Sequence, residues 1–447
     1  MALDTPLAYR NLVIYQIYVR NHAPQGTFAE VEADLPRIRQ LGADIVYFLP
    51  IHPIGQLNKK GGLGCPYSIQ DYEGVNPEYG SRDDFRRLID RAHDLGLKVM
   101  IDVVYNHTAH DSRLVAEHPD WFHQDANGRP VTTVPEWSDV IDLKHPNDAL
   151  SAYLIGVLQD WVRFGVDGFR CDVASLLPVD FWRRARQAVA EVKEGVIWLA
   201  ESVHAAFIAD RRRNALPAVS DSELYAAFDM TYDYDIWPVW QAVVRGDLPV
   251  SRYLEMLRYQ DCMYPANYVK MRCVENHDQL RILALAKTPS QARAWTALMA
   301  FNKGPFFIYA GQEAGATWRP SLFDIDKFDW GTYAEQDFLT RLAGLKKLPA
   351  MRTGDLVWMA AEPAVQAVWY CGQESLYGLF NVSGQVGEVN VALPDGTYQN
   401  LLDDSHLVVK NGSTTLPECG FVTAFHCAQP PQDFFAPLLD YLLVDGE

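Results

Sequence analysis

Val166-Asp167-Gly168-Phe169-Arg170-Cys171-Asp172-Val173 is an apolar run that carries an arginine and an aspartate two residues apart. On a β-strand, residues i and i+2 point to one face, so Arg170 and Asp172 project together while Phe169, Cys171 and Val173 face the other way. A strand buried on both faces rarely holds two charges. They are tolerated at its C-terminal end, opening into a polar pocket, where the guanidinium keeps the carboxylate ionised near neutral pH. Such a carboxylate is equipped as a nucleophile. A purely structural Arg–Asp pair at a strand end fits the stretch equally well.

Outward from this run, short β-branched or aromatic segments alternate with segments of helical period. Strands are predicted at Val13–Val19, Asp44–Leu49 and Lys98–Val104 before the opening run, and at Val196–Ala200, Ala226–Met230, Val269–Val274 and Pro305–Tyr309 after it. Helices are predicted near Glu30–Leu41, stopped by Gly42, near Ser81–Leu95, stopped by Gly96, near Asn147–Phe164 and near Val179–Val192, with another from about Val203. Eight strands with intervening helices favour an α/β fold, a closed (β/α)8 TIM barrel, over an open doubly wound sheet. Between Thr108 and Pro146 the alternation dissolves, which reads as a short loop insertion after strand 3. Beyond Met351 short strands recur between turns such as Asp395-Gly396 and Asn411-Gly412, the pattern of a C-terminal antiparallel β domain. The expected division is a catalytic barrel over 1–107 and 147–350, an inserted loop domain over 108–146, a β-sandwich over 351–430, and a tail or short helix over 431–447.

Composition narrows the function. The 447 residues are 49% hydrophobic and 21% charged, ordinary for a globular enzyme. A net charge of −18 repels phosphate backbones and anionic lipid, so neither nucleic acid nor a membrane is expected as a partner. No signal-like start and no long apolar run is found, and a cytoplasmic location is expected. Seven cysteines without CxxC or Cys/His spacing read as reduced thiols, and Cys171 as an apolar filler.

In such a barrel, working residues lie where strands run out at the C-terminal face. The third strand ends in Asp102-Val103-Val104-Tyr105-Asn106-His107, the fourth in Arg170 and Asp172, the fifth in Glu201 and the seventh in Glu275-Asn276-His277-Asp278. Two carboxylates across a sugar ring, one ionised and one protonated, are the equipment of glycosidic cleavage. Asp172 beside Arg170 suits the first role. Glu201, after the apolar run Val196–Ala200, suits the second, desolvation there being expected to favour its protonated form. Asp278 would hydrogen-bond ring hydroxyls of a distorted sugar and bias Glu201 towards that form, and His107 and His277 would be donors to the sugar, although each taken singly is more often structural.

These four segments, in this order and spacing, resemble the conserved regions of the α-amylase family of retaining glycoside hydrolases, a likeness that runs along essentially the whole chain. The resemblance implies Asp172 as the nucleophile that forms a glycosyl ester, Glu201 as general acid and then base, and Asp278 as transition-state stabiliser. It assigns Arg170, His107 and His277 to sugar binding, Tyr67 of Pro66-Tyr67-Ser68-Ile69-Gln70-Asp71-Tyr72 to stacking on the sugar at the cleavage point, and Asp102 to support from beneath. No cofactor is implied for the chemistry. Many relatives hold a structural calcium, for which Asn106 and Asp142 are the matching ligands, two donors where calcium takes six or more. Ser175-Leu176 stands where starch-degrading relatives often carry Lys-His, which favours shorter maltooligosaccharides. Trp121, Trp137, Trp318 and Trp330 lie in or near loops, where packing is the commoner role than sugar stacking. The expected activity is hydrolysis of α-1,4-linked glucans. A transglycosylase with the same first step and a silent sugar-binding barrel are the alternatives.

Overall fold

The computed structural model describes residues 4–434. Eight parallel strands, β1 (Val13–Ile17), β2 (Ile45–Phe48), β3 (Lys98–Val103), β4 (Gly168–Cys171), β5 (Ile197–Ala200), β6 (Met230–Tyr232), β7 (Lys270–Met271) and β8 (Phe306–Tyr309), pair in the order β8-β1-β2-β3-β4-β5-β6-β7. Arg272 N–H donates to Pro305 O and Phe307 N–H to Arg272 O, both at 3.0 Å, and this bridge closes the cylinder between β7 and β8. Apart from Lys98, every residue of these strands is buried. That is why the strands read as continuous apolar runs: the interior fills one face and the helices cover the other.

The helices begin where side chains can serve their free N–H groups. Thr27 with Glu30 and Ser81 with Asp84 form capping boxes at the heads of Phe28–Gln40 and Arg82–Asp94, and Asn147 caps Asp148–Arg163. Gly42 and Gly96 follow the first two at φ of +103° and +72°, the left-handed exits that the sequence anticipates.

The sixth strand is displaced from its expected place. Tyr225 to Phe228 donate their N–H groups back to Asp221, Glu223 and Leu224, closing the turn of a short helix, so Ala226–Phe228 cannot join a ladder and the strand starts at Met230. The seventh strand keeps only two residues of the expected six, and the cations in and beside it turn to carboxylates: Lys270 pairs with Asp221 and with Asp235 (3.0 Å), Arg272 with Asp233 (2.7 Å).

After β3 the chain leaves the barrel, and His107–Ala109 pairs antiparallel with Val140–Asp142 at the base of the excursion. At the C-terminal end, β9 (Asp355–Ala360), β10 (Val365–Tyr370), β11 (Ser375–Phe380) and β12 (Gly420–Phe425) form an antiparallel sheet. Two further antiparallel pairs, Glu388–Asn390 with Ser413–Thr415 and, between them in the chain, the hairpin Gly396–Gln399/His406–Val409, share its second apolar core, which includes Val368, Tyr377, Val389, Val409 and Phe421. Trp369 Nε1–H donates to Phe301 O at 2.7 Å and ties this sheet to the helix Pro289–Phe301 between β7 and β8. The expected tail lies outside the described residues from position 435 onward. Among the described residues, no helix is long and apolar enough to cross a membrane.

Candidate active site

The ends of β3, β4 and β5 and the loop after β7 converge on one cleft of about 290 Å³, lined by Asp172, Glu201 and Asp278 together with Tyr67 and His107. Behind its carboxylates lies the Arg170 guanidinium, fully buried. Arg170 Nη1 donates to Asp172 Oδ1 at 2.7 Å and to Asp102 at 2.8 and 3.0 Å, while Nη2 forms an ion pair with Glu201 Oε2 at 3.0 Å. One cation therefore bridges the two carboxylates that the sequence assigns to opposite roles. The i, i+2 geometry expected of β4 is realised in the Arg170–Asp172 bond.

The chain then bends sharply. Val173 lies at φ +36°, a left-handed conformation that a β-branched residue rarely adopts. Its N–H donates to Glu201 Oε2 at 2.7 Å, so the strained residue helps to fix the second carboxylate. Nothing in the sequence signals this.

Asp102 forms the floor. It accepts Tyr47 Oη at 2.6 Å and Tyr67 Oη at 2.9 Å besides Arg170. A directed chain runs into it from the side: Gln16 Nε2 lies 2.9 Å from His277 Nδ1, and His277 Nε2 lies 2.6 Å from Tyr67 Oη. With Tyr67 donating to Asp102, the ring of His277 donates from Nε2 and accepts at Nδ1. Tyr67 stacks on His277, the ring centroids 5.6 Å apart. His107 Nε2 stands 3.9 Å from Asp172 Oδ2, and His277 Nε2 3.1 Å from Asp278 Oδ2. All seven residues predicted for catalysis and sugar binding are thus brought together, six of them around Arg170.

The electrostatics differ from the simplest sequence argument, which weighs Arg170 against Asp172 alone. In the fold one guanidinium is divided among three carboxylates. Burial first, and then the Glu201 charge, push Asp172 well up, and Arg170 opposes them. Burial likewise carries Asp102 up to about 6 despite its donors. Asp278 is pushed up by the walls of the cleft against the pull of Arg170 and Arg319, although its side chain is 39% exposed at the mouth. Burial holds His107 down and takes His277 to about 3, so both rings are neutral at physiological pH.

The two residues matched to calcium ligands are engaged with protein groups. Asp142 Oδ1 accepts Thr132 Oγ1 (3.2 Å), and Oδ2 accepts Thr133 N–H (2.7 Å) and Oγ1 (2.6 Å). Arg211 reaches the same Thr133 hydroxyl at 3.3 Å, bringing a cation to the spot already. Asn106 Nδ2 faces His107 Nδ1 at 3.3 Å, and its backbone carbonyl accepts Leu143 N–H. Among the described residues no three His, Cys, Asp or Glu side chains gather as a metal group. This donor set does not fit a calcium shell.

Of the four loop tryptophans, Trp137 lines the cleft, 5.2 Å from the His107 ring. Trp121 is buried against His118, Trp330 packs on Phe328 and Tyr333, and Trp318 is partly exposed. The sequence reading missed Lys60, Asp139 and Phe323, which also line the cleft. They come from three separate loops, and no local spacing connects them.

Comparison with known proteins agrees with the fold. The family model described as "Alpha amylase, catalytic domain" matches residues 16–139 and 136–364, and "Bacterial Alpha amylase C-terminal domain" matches 359–421. A solved α-amylase from Lactobacillus plantarum superposes with a TM-score of 0.90 at 43% identity, covering 94% of this chain and 100% of that one. A noncanonic maltogenic α-amylase from Thermotoga neapolitana gives 0.83 at 31% identity, with 94% and 100% covered. Among curated proteins, an α-1,4-glucan:maltose-1-phosphate maltosyltransferase of Mycobacterium tuberculosis is 33% identical over 253 residues, 51% of this chain and 35% of that protein. A cyclomaltodextrinase of Geobacillus thermopakistaniensis is 26% identical over 79% of this chain and 62% of its own length. The chain spans about a third of the length of that maltosyltransferase.

Proposed function

The chain belongs to the α-amylase family, and on that footing we propose that it hydrolyses α-1,4-glucosidic bonds of maltooligosaccharides with retention, through a glycosyl ester on Asp172. The observation that carries this reading is the single guanidinium that holds Asp172 and Glu201 together at the head of one cleft. The form competent for the first step has Asp172 ionised and the proton on Glu201.

In the first step Asp172 attacks the anomeric carbon, the glycosidic C–O bond breaks, and Glu201 gives its proton to the leaving oxygen. In the second, Glu201 takes a proton from water, the water oxygen bonds to the anomeric carbon, and Asp172 leaves. The floor built on Asp102 keeps Arg170 and Tyr67 in place throughout. Arg170 stabilises the Asp172 carboxylate as it is released, neutral His107 donates a hydrogen bond to the sugar, and His277 spends its one N–H on holding Tyr67 in place. Asp278 at the cleft mouth braces the distorted ring.

A second reading has its own support, since relatives named as maltosyltransferases share this barrel. There a sugar hydroxyl replaces water in the second step. Maltotriose separates the two: glucose and maltose as first products support hydrolysis, and oligomers longer than the substrate support transfer. Absence of any product from maltooligosaccharides overturns both.

A further inference from the structure

Three loops that leave the barrel at different points are stitched into one wall beside the cleft. The loop after β2 carries Lys60, whose ammonium lies 2.8 Å from Asp139 Oδ1 and donates to Glu136 O at 2.9 Å, both partners on the insertion after β3. Next to it, Gly62 N–H donates to Asp324 Oδ1 (2.7 Å) and Leu63 N–H to Phe323 O (3.0 Å), on the loop after β8. Gly61, at φ +65°, approaches Phe323 so closely that a Cβ would overlap its side chain; the seam needs glycine there. Ser68 Oγ holds the Asp139 carbonyl at 2.9 Å. Lys60, Asp139 and Phe323 line the same cleft as Asp172 and Glu201.

A polymer cut in its interior must lie in a groove open at both ends. This cleft holds about 290 Å³, at the bottom of the usual range for small-molecule pockets, about 300–1,000 Å³, and the wall bounds it on the side of Lys60 and Asp139. The geometry points to the Lys60–Asp139 pair as a specificity determinant: the cleft is blind on that side, and a glucan enters by a chain terminus whose last sugar abuts the pair. An ammonium has three donors, of which two are engaged, so one N–H and the second carboxylate oxygen of Asp139 meet sugar hydroxyls. The inference rests on the reading of the cleft as a glucan site.

The test compares maltoheptaose, maltoheptaose capped at its non-reducing end by a 4,6-O-ethylidene group, and maltoheptaitol. The wild-type enzyme is expected to turn over one of the two modified chains about tenfold or more slowly than maltoheptaose, the discrimination a tight pocket achieves against a small added or altered group. Lys60→Ala and Asp139→Asn are expected to bring the three rates together, and Lys60→Arg to retain the discrimination. Equal rates for all three chains in the wild type, or discrimination unchanged in Lys60→Ala, would overturn the inference. Calorimetric binding of the same chains to Asp172→Asn reads the wall without turnover. The same ranking there, with no turnover by the wild type, sinks the hydrolase reading and leaves the wall standing. Binding of none of the three sinks both.

Discussion

At the scale of residues, Arg170 decides the site, because it is one buried positive charge facing Asp102, Asp172 and Glu201. Arg170→Met leaves three carboxylates without their cation, and the loss of a buried charge partner typically costs about 3–5 kcal/mol. Urea unfolding should show a destabilisation of that order, together with loss of turnover; an unchanged midpoint would show that the carboxylates do not depend on the guanidinium. Asp172→Asn keeps the shape and removes the nucleophile, so kcat on maltotriose should fall by about 10⁴-fold or more while binding persists. The sequence makes this part of the site legible, since Arg170 and Asp172 are two positions apart, Glu201 ends an apolar run, Asp102 interrupts one, and Asp278 lies four residues past Val274. It hides the sharing of the guanidinium, because Asp102 lies 68 residues from Arg170. It hides equally the Lys60–Asp139 pair, which no period or spacing links.

At the scale of elements, closure of the barrel rests on its shortest strand. Gly304, at φ +129°, turns the chain from the helix Pro289–Phe301 into β8 and presses on the Lys270 carbonyl of β7, where a Cβ would overlap the oxygen. Buried Lys346 donates to the carbonyls of Asn302 and Gly304, both at 2.7 Å, and locks the same turn. Gly304→Ala should therefore cost roughly 2–4 kcal/mol, read as a lower urea midpoint; an unaltered midpoint would contradict a closure that depends on this approach. The strands were legible where β-branched and aromatic residues run unbroken, as in Ile45–Phe48 and Phe306–Tyr309. Ala226–Met230 misled because its composition suits a strand while its amides complete a helical turn, and Asp229 fixes the break by accepting the Trp198 N–H and an Arg186 ion pair. Asp142, matched by resemblance to a calcium ligand, has surroundings that the sequence likewise does not display. Its spacing matches a ligand position, and only the fold shows its oxygens held by Thr132 and Thr133.

At the scale of the whole molecule, stability should depend on pH through its buried histidines. Burial takes His52 down to about 4, its Nδ1 hydrogen-bonded to the Gly74 carbonyl at 3.0 Å. A histidine whose folded pKa lies below its unfolded value near 6.5 leaves the unfolded chain to bind the extra proton. Stability from this source is full above pH 6.5 and is lost as pH falls towards 4. The raised pKa of Asp102 acts in the opposite sense, favouring the fold as pH falls from about 6. His52→Gln isolates the histidine: its stability relative to wild type should improve by up to about 3 kcal/mol between pH 7 and pH 4, measured by urea unfolding across that range, and a difference independent of pH would contradict it. The central claim, that the cleft works through an ester on Asp172, is tested most directly by incubating Glu201→Gln with α-maltosyl fluoride and digesting the protein for mass spectrometry. Fluoride departs without an acid and the missing base stalls hydrolysis, so the account predicts a maltosyl adduct on the peptide that carries Asp172. An adduct on a different side chain, or consumption of the fluoride with no covalent intermediate, would contradict it.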